Sequence, residues 1–406
     1  MSRKVITTAG ASGTPDAATQ LLDVVDLKTH FRTERGTVRA VDGVSLNLDR
    51  GRTLGVVGES GSGKTILSRS IMGLLPSRNT VRQGHVFYEG VDIVGYDQNQ
   101  MRDIWGAEMA MVFQDPMTSL NPVMKIGLQI TESLTHHLKM DKKEAKATAT
   151  ALLASVGIPE PVQRFDEYPH QLSGGMRQRV TIAIALACGP KVLFADEPTT
   201  ALDVTVQAQI LNLLAAQQQE RHMAMILVTH DLGVVAGRAD EILVMYGGKV
   251  VEQAPTALLF DNVKMPYTEA LLRSIPKLSH RSHTRLDAIP GRPPDLVNPP
   301  PGCNFSPRCR YVQPSCLVQE PPLMSIGTTG QHYRCWYPVG TPEGDDALAR
   351  NIAAAGDEDV AVAAFRTAQV AVGATPQSLD PPPVAAPVPG GTRPPPPDRT
   401  QPTEEA

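Results

Sequence analysis

The chain lacks several things that would narrow its class at once. It has no run of about 18 or more apolar residues, so nothing in it crosses a membrane as a helix. It has no excess of basic charge: 38 Lys and Arg against 42 Asp and Glu give −4, which argues against a nucleic-acid footprint or a basic membrane-binding surface. Residues 1–18 are small and polar and hold no apolar signal-peptide core, so a cytoplasmic location is expected. Aromatic residues make up only 4%, and Phe31 is the lone one in its strand. Cysteine is scarce, with five in 406 residues, yet four of the five fall between 303 and 335. In a reducing compartment that clustering favours a metal site over disulfides.

What is present centres on Gly58-Glu-Ser-Gly-Ser-Gly-Lys-Thr65, a G-x-x-x-x-G-K-[ST] pattern between an apolar run, 53–57, and an apolar-periodic stretch ending near Leu75. Strand, phosphate loop and helix are expected in that order. Glycines let consecutive N–H groups turn inward onto phosphate oxygens, and the helix adds its positive end. Lys64 then reaches the β- and γ-phosphates, and Thr65 offers its hydroxyl to Mg²⁺. Gly58, Ser60, Gly61, Ser62 and Gly63 form the rest of the cradle. No third glycine follows Gly61 and Gly63 at dinucleotide spacing, so the loop is not a Rossmann fingerprint.

Residues 21–58 alternate apolar and polar with turns at Gly36 and Asp49-Arg-Gly51, as in an antiparallel sheet leading into the phosphate loop. Phe31 can stack on an adenine or pack in that sheet, and packing is the better reading of the residues alone. A buried strand, 109–113, ends at Gln114, a Mg²⁺ ligand or a strand cap, and is followed by Asp115-Pro-Met-Thr-Ser-Leu-Asn-Pro122. From Ile126 the pattern turns helical, with Ile126, Ile130, Leu134 and Leu138 on one face, forming an insertion at about 123–188. Ser173 opens a long helix, either as a plain N-cap or as part of a second phosphate receptor.

Lys191-Val-Leu-Phe-Ala-Asp-Glu197 is a buried-strand pattern closed by two carboxylates at the end where α/β sheets place ligands. Asp196 is suited to Mg²⁺ and Glu197 to the proton of an attacking water. His230 ends a further core strand, and beside two carboxylates and a phosphate loop it suits a γ-phosphate contact over a loop cap.

Taken together, these pieces resemble the nucleotide-binding subunits of ATP-binding cassette (ABC) transporters over residues 20–340. The matching segments are Gly58 to Thr65, Gln114, the signature Leu172-Ser173-Gly174-Gly175-Met176, the strand ending at Asp196 and Glu197, Ala201-Leu-Asp203, and His230. Phe113–Pro122, His170–Arg179 and Asp196–Gln207 are similar to the dipeptide/oligopeptide/nickel importer branch, and within it to the D-type ATPase subunits of dipeptide permeases. Met176 stands where glutamine is common in ABC proteins at large and is usual in this branch. Ile289-Pro-Gly-Arg-Pro-Pro294 and Gly302-Cys-Asn-Phe-Ser-Pro-Arg-Cys309 match its C-terminal extension.

The resemblance implies an α/β P-loop NTPase fold: a RecA-like core with antiparallel β and helical subdomains over 20–265. A small four-cysteine metal-binding domain follows at 266–340; the termini lie outside the resemblance, and their composition reads as disordered at 1–19 and 341–406, save a weak helix near 347–372. It makes Phe31 the adenine-stacking aromatic. It makes Leu172 to Met176 a contact to the ATP of a second cassette, and Asp203 a relay between the two. ATP, bound with Mg²⁺ through Thr65, Gln114 and Asp196, is hydrolysed with Glu197 and His230. Two permease subunits hold the chain at the cytoplasmic face, an extracytoplasmic binding protein delivers a peptide cargo, and nucleic acid plays no part. Nickel, glutathione or another small solute is the alternative cargo, and a soluble, non-transport ABC ATPase is the alternative class. Cys303, Cys309, Cys316 and Cys335 can ligate a [4Fe–4S] cluster, with zinc as the alternative.

Overall fold

A computed structural model describes residues 20–200, 202–275, 288–356 and 358–374. Segments 1–19 and 375–406, both expected to be disordered, lie outside the described residues, as does Ala201.

Two sheets carry the described chain. The smaller runs in the order Gly36–Asp49, Gln20–Thr33, Thr80–Tyr88, Val91–Asp92. Its first two strands pair antiparallel from Thr33 opposite Gly36, and alternate residues such as Leu22, Val24, Leu46 and Leu48 enter the core. The period-two pattern therefore sets which face is buried.

The larger sheet has Thr53–Val57 near its middle. On one side lie Ala224–Thr229, Val192–Asp196 and Met109–Val112, all parallel; on the other lies Glu241–Tyr246, also parallel. Three of these strands, Thr53–Val57, Val192–Asp196 and Ala224–Thr229, are buried along their full length. That is the expected consequence of helices on both faces, and it brings the carboxyl ends holding Val57, Asp196 and Thr229 together at one rim.

An arm of helices interrupts the core between its strands: Ile126–His137, Lys142–Ser155, Pro161–Arg164 and Gly174–Leu186. Ile126, Ile130 and Leu134 are fully buried, while Leu138, expected on the same face, is the exposed C-cap residue at 44%. Asp141 and Glu144 close a capping box at the start of the second helix. Gly127 is needed where this arm packs most tightly, since an added Cβ would meet the Phe165 ring at 2.3 Å.

The C-terminal part is less separate than the sequence suggests. Lys249–Pro255 adds antiparallel to Glu241–Tyr246, and the two-residue strands His332–Tyr333 and Met324–Ser325 continue the same sheet. Glu252, fully buried, accepts the N–H groups of Lys264 (2.7 Å) and Met265 (3.1 Å) and an amide of Gln331 (3.1 Å), tying 249–265 to the region beyond it.

Of the tail expected to be disordered from 341, the weak helix expected near 347–372 is present as two packed helices that begin earlier. Helices Pro342–Ala355 and Val360–Ala374 are present. Thr341 caps the first, and Asn351 donates to the carbonyls of Arg310 (2.8 Å) and Val312 (3.0 Å). The second buries Ala361, Ala364 and Ala368 against the cysteine region. Alanine-rich faces are too weakly apolar to announce burial, which is why composition alone reads as solvated.

Candidate nucleotide-binding site

The loop after Thr53–Val57 curls where only glycine fits. At Gly63, with φ 104°, an added Cβ would lie 2.2 Å from the carbonyl oxygen of Ala40; at Gly58 it would lie 2.2 Å from that of Met245. The close approach folds the backbone round a cleft of ≈ 700 Å³. Ser60, Gly61, Gly63, Lys64, Thr65, Gln114, Glu197 and His230 line it, as the sequence leads one to expect.

Lys64 is buried, and its ammonium donates to the carbonyls of Gly58 (2.7 Å) and Glu59 (2.9 Å) and lies 4.0 Å from Glu197 Oε1. Burial lowers its pKa, opposed by the carboxylates of Glu197, Asp196 and Glu59. Thr65 Oγ1 donates to Asp196 Oδ1 at 3.0 Å. Asp196 is wholly buried, which raises its pKa, and the adjacent Glu197 charge acts in the same direction.

Two buried polar atoms at this rim have no partner, Asp196 Oδ2 and Ser62 Oγ. An orphaned carboxylate oxygen beside the Thr65 hydroxyl is a donor set that fits Mg²⁺, and the Ser62 hydroxyl is free to meet a phosphate oxygen.

Glu197 sits at the end of its strand with φ 45°, a left-handed conformation unusual for a non-glycine residue. Its N–H is held by Val228 O at 3.0 Å. Its Oε2 accepts from Gln114 Nε2 (3.1 Å) and Thr200 Oγ1 (2.9 Å) and faces His230 Nδ1 at 3.3 Å. Three side chains from three different segments thus aim one carboxylate into the cleft.

Other expected residues lie elsewhere. Phe31 is half-buried in its strand opposite Val38 and Thr80 and does not line the cleft, so its adenine contact is not in place here. Leu172 is buried, while Ser173 and Gly174 are exposed at the start of Gly174–Leu186; none of residues 172–176 lines the cleft. Ser173 Oγ accepts from Met176 N at 3.3 Å, and Gly175 packs so closely on the neighbouring helix that a Cβ would be 2.9 Å from Val206. Asp203 caps that neighbouring helix, Val204–Arg221, through Val206 N at 3.0 Å.

The sequence reading missed a wall of the cleft. Leu271 and Ser274 of helix Pro266–Ser274, with Ile289 and Leu296, line it from the C-terminal side. Ile289 belongs to a motif singled out above, but nothing in its spacing tells which surface it faces.

Cys303, Cys309, Cys316 and Cys335 come together, all as free thiols, around a second pocket that is almost closed at ≈ 10 Å³. Burial pushes the Cys303 thiol up to about 11 and Cys316 up to about 12, with Cys309 and Cys335 also raised well above the usual thiol value. Among the described residues no group of three or more His, Cys, Asp or Glu is placed to hold a metal ion. The expected metal-binding domain is therefore not supported by this arrangement: the four thiols gather at one pocket without being placed as a ligand set. Cys188 stands apart, half-buried, its thiol 3.6 Å from Ser133 O.

A phosphate loop closing on buried Lys64 and Asp196 and half-buried Glu197 at the rim of a parallel sheet defines a P-loop nucleoside triphosphatase. Residues 41–200 match the family model described as ABC transporter, and residues 251–316 match the one described as oligopeptide/dipeptide transporter, C-terminal region. The chain is 48% identical over 343 residues to the oligopeptide transport ATP-binding protein OppD of Bacillus subtilis, spanning 82% of this chain and 95% of that one. It is 46% identical to the dipeptide transport ATP-binding protein DppD of Escherichia coli, over 79% of this chain and 97% of that one. A dimeric ATP-binding cassette in a post-hydrolysis state, bound to ADP and Pi, superposes with a TM-score of 0.53 at 26% identity, covering 58% of this chain and 99% of that one. The chain belongs to the ATP-binding subunits of ABC transporters, in the oligopeptide/dipeptide transporter family, and it is an ATPase.

Proposed function

We propose that this ATPase powers the import of short peptides through two membrane-spanning permease subunits, paired with a second ATPase subunit and supplied by an extracytoplasmic binding protein. The observation that carries the reading is one continuous sheet joining a cassette core to the C-terminal region matched by oligopeptide and dipeptide transporters. No helix among the described residues is long and apolar enough to span a membrane, in keeping with a peripheral subunit held at the cytoplasmic face by its permeases. ATP-dependent uptake of a labelled dipeptide into vesicles carrying the assembled transporter tests it. Uptake of nickel or glutathione without peptide would reassign the cargo.

Within the site, Lys64 binds the β- and γ-phosphates through the loop of Gly58 to Gly63, and Glu197 orients and deprotonates the attacking water. Gln114 and His230, both within hydrogen-bonding reach of Glu197, hold that carboxylate and face the γ-phosphate. Mg²⁺, on Thr65, Asp196 and Gln114, neutralises phosphate charge when bound. Leu172 to Met176 serve the nucleotide of the paired subunit, head to tail, with Asp203 between the sites. The exposure of Ser173 and Gly174 on a capped helix start, away from this chain's own cleft, supports that division.

For the cysteine pocket the proposal is a [4Fe–4S] cluster acting as a structural staple. Four thiols lining one pocket, with no carboxylate or imidazole among its lining residues, support it. Iron and acid-labile sulfide at about four per chain in anaerobically purified protein is the expected result. A colourless protein with stoichiometric zinc would refute it.

A further inference from the structure

Glu59, the second residue of the phosphate loop, is gripped at three points. Its N–H donates to the Tyr267 hydroxyl at 2.7 Å. Its carboxylate takes both arms of the Arg308 guanidinium, Nη1 to Oε2 at 2.5 Å and Nη2 to Oε1 at 2.8 Å. Its carbonyl accepts from Lys64 Nζ at 2.9 Å, so the same residue touches the phosphate-binding lysine. Tyr267 and Arg308 both come from beyond residue 265, about 200 positions or more along the chain.

The grip is rigid. Arg308 is 4% exposed; its Nε donates to Pro290 O at 2.7 Å, and Nη1 also reaches the Tyr246 hydroxyl at 3.2 Å. Tyr246, Tyr267 and Phe305 pack ring to ring at 4.5–5.3 Å, closing the floor under the pair. A forked guanidinium on a carboxylate fixes rotation as well as distance, and burial makes either charge costly without the other. The loop itself supplies little stiffness, because Gly61 and Gly63 hold positive φ and glycine has the most conformational freedom to lose. An anchor outside the loop is therefore what keeps its N–H groups and Lys64 in a binding shape before ATP arrives.

We propose that Arg308 and Tyr267 are positioning residues for ATP, acting through Glu59, so that the C-terminal region sets the nucleotide affinity of the phosphate loop. The test measures ATP binding and the thermal midpoint of the full chain, and ATP kinetics of the assembled transporter. Glu59→Gln and Arg308→Gln should each weaken ATP binding about tenfold, and the double variant should be no weaker than Arg308→Gln alone, as for coupled partners. Arg308→Lys keeps the charge and loses the fork, so it should weaken binding as well. Tyr267→Phe removes one oxygen and should raise KM for ATP about threefold with kcat changed by less than about twofold. A purely structural role would lower the thermal midpoint and leave KM unmoved. Tyr267→Phe and Arg308→Lys that bind ATP as tightly as the unaltered chain, or single effects that add in the double variant, would overturn the proposal; should Arg308→Gln not fold, those two conservative variants decide it.

Discussion

Lys64 and Asp196 are buried and bonded inside the chain, whereas Ser173 and Gly174 stand in solvent at the start of their helix. On the proposed function both regions meet phosphate, yet one surrounds a cleft of ≈ 700 Å³ and the other faces outward. The first keeps two unpartnered polar atoms at its rim; the second spends its Ser173 hydroxyl on Met176 N as a cap. A buried half can be preorganised by its own chain, while an exposed half acquires its electrostatic value only when another surface excludes water from it. The contrast is the one expected of the divided site proposed above.

Changing the buried half should have the largest effect. Glu197→Gln is expected to lower ATP turnover by ~10² or more with ATP binding intact, the scale of losing a general base, as read by steady-state hydrolysis and nucleotide titration. Ser173→Asp keeps a capping acceptor but, on the proposed division of the site, sets a negative charge before the other subunit's phosphate. Turnover of the assembled transporter should fall about tenfold or more, with nucleotide affinity of the isolated chain unchanged.

Acidification should act on the buried half alone. Asp196 has a raised pKa because burial disfavours its charge, and the metal needs the carboxylate, so Mg²⁺-dependent nucleotide binding should weaken on lowering pH, starting above the ordinary aspartate value of 3.8. The smallest effect belongs to Asp203→Ala, which removes one helix cap. It should cost about 1 kcal/mol and lower the melting midpoint by about 2 °C in calorimetry.

Legibility in the sequence followed the same divide. Residues 58–65, 114, 196–197 and 230 were readable because phosphate chemistry restricts residue type and spacing, and because each ends or begins a core element with its own apolar pattern. Phe31 was readable as a strand residue and not as a cleft residue, since alternation fixes the face it shares but not what lies beyond it. Leu271, Ser274, Ile289 and Arg308 carry no local mark of approaching the phosphate loop, because that contact is made between segments about 200 or more positions apart in the chain. The helices from Pro342 were legible only as one weak helix near 347–372; the start signal Thr341-Pro342-Glu343, an N-cap, an N1 proline and a first-turn acid, was outweighed by alanine and proline content. The cysteines were found as a cluster by spacing, while their near-closed packing follows from aromatic neighbours that spacing does not reveal.

Division of the site between two molecules is tested most directly by single-turnover hydrolysis at matched ATP occupancy, in the isolated chain and after adding its partner ATPase with an intact or altered signature segment. The expected result is ATP bound but barely turned over by the isolated chain, rapid turnover with the intact partner, and none with the altered one. Full turnover by the monomeric chain would contradict it.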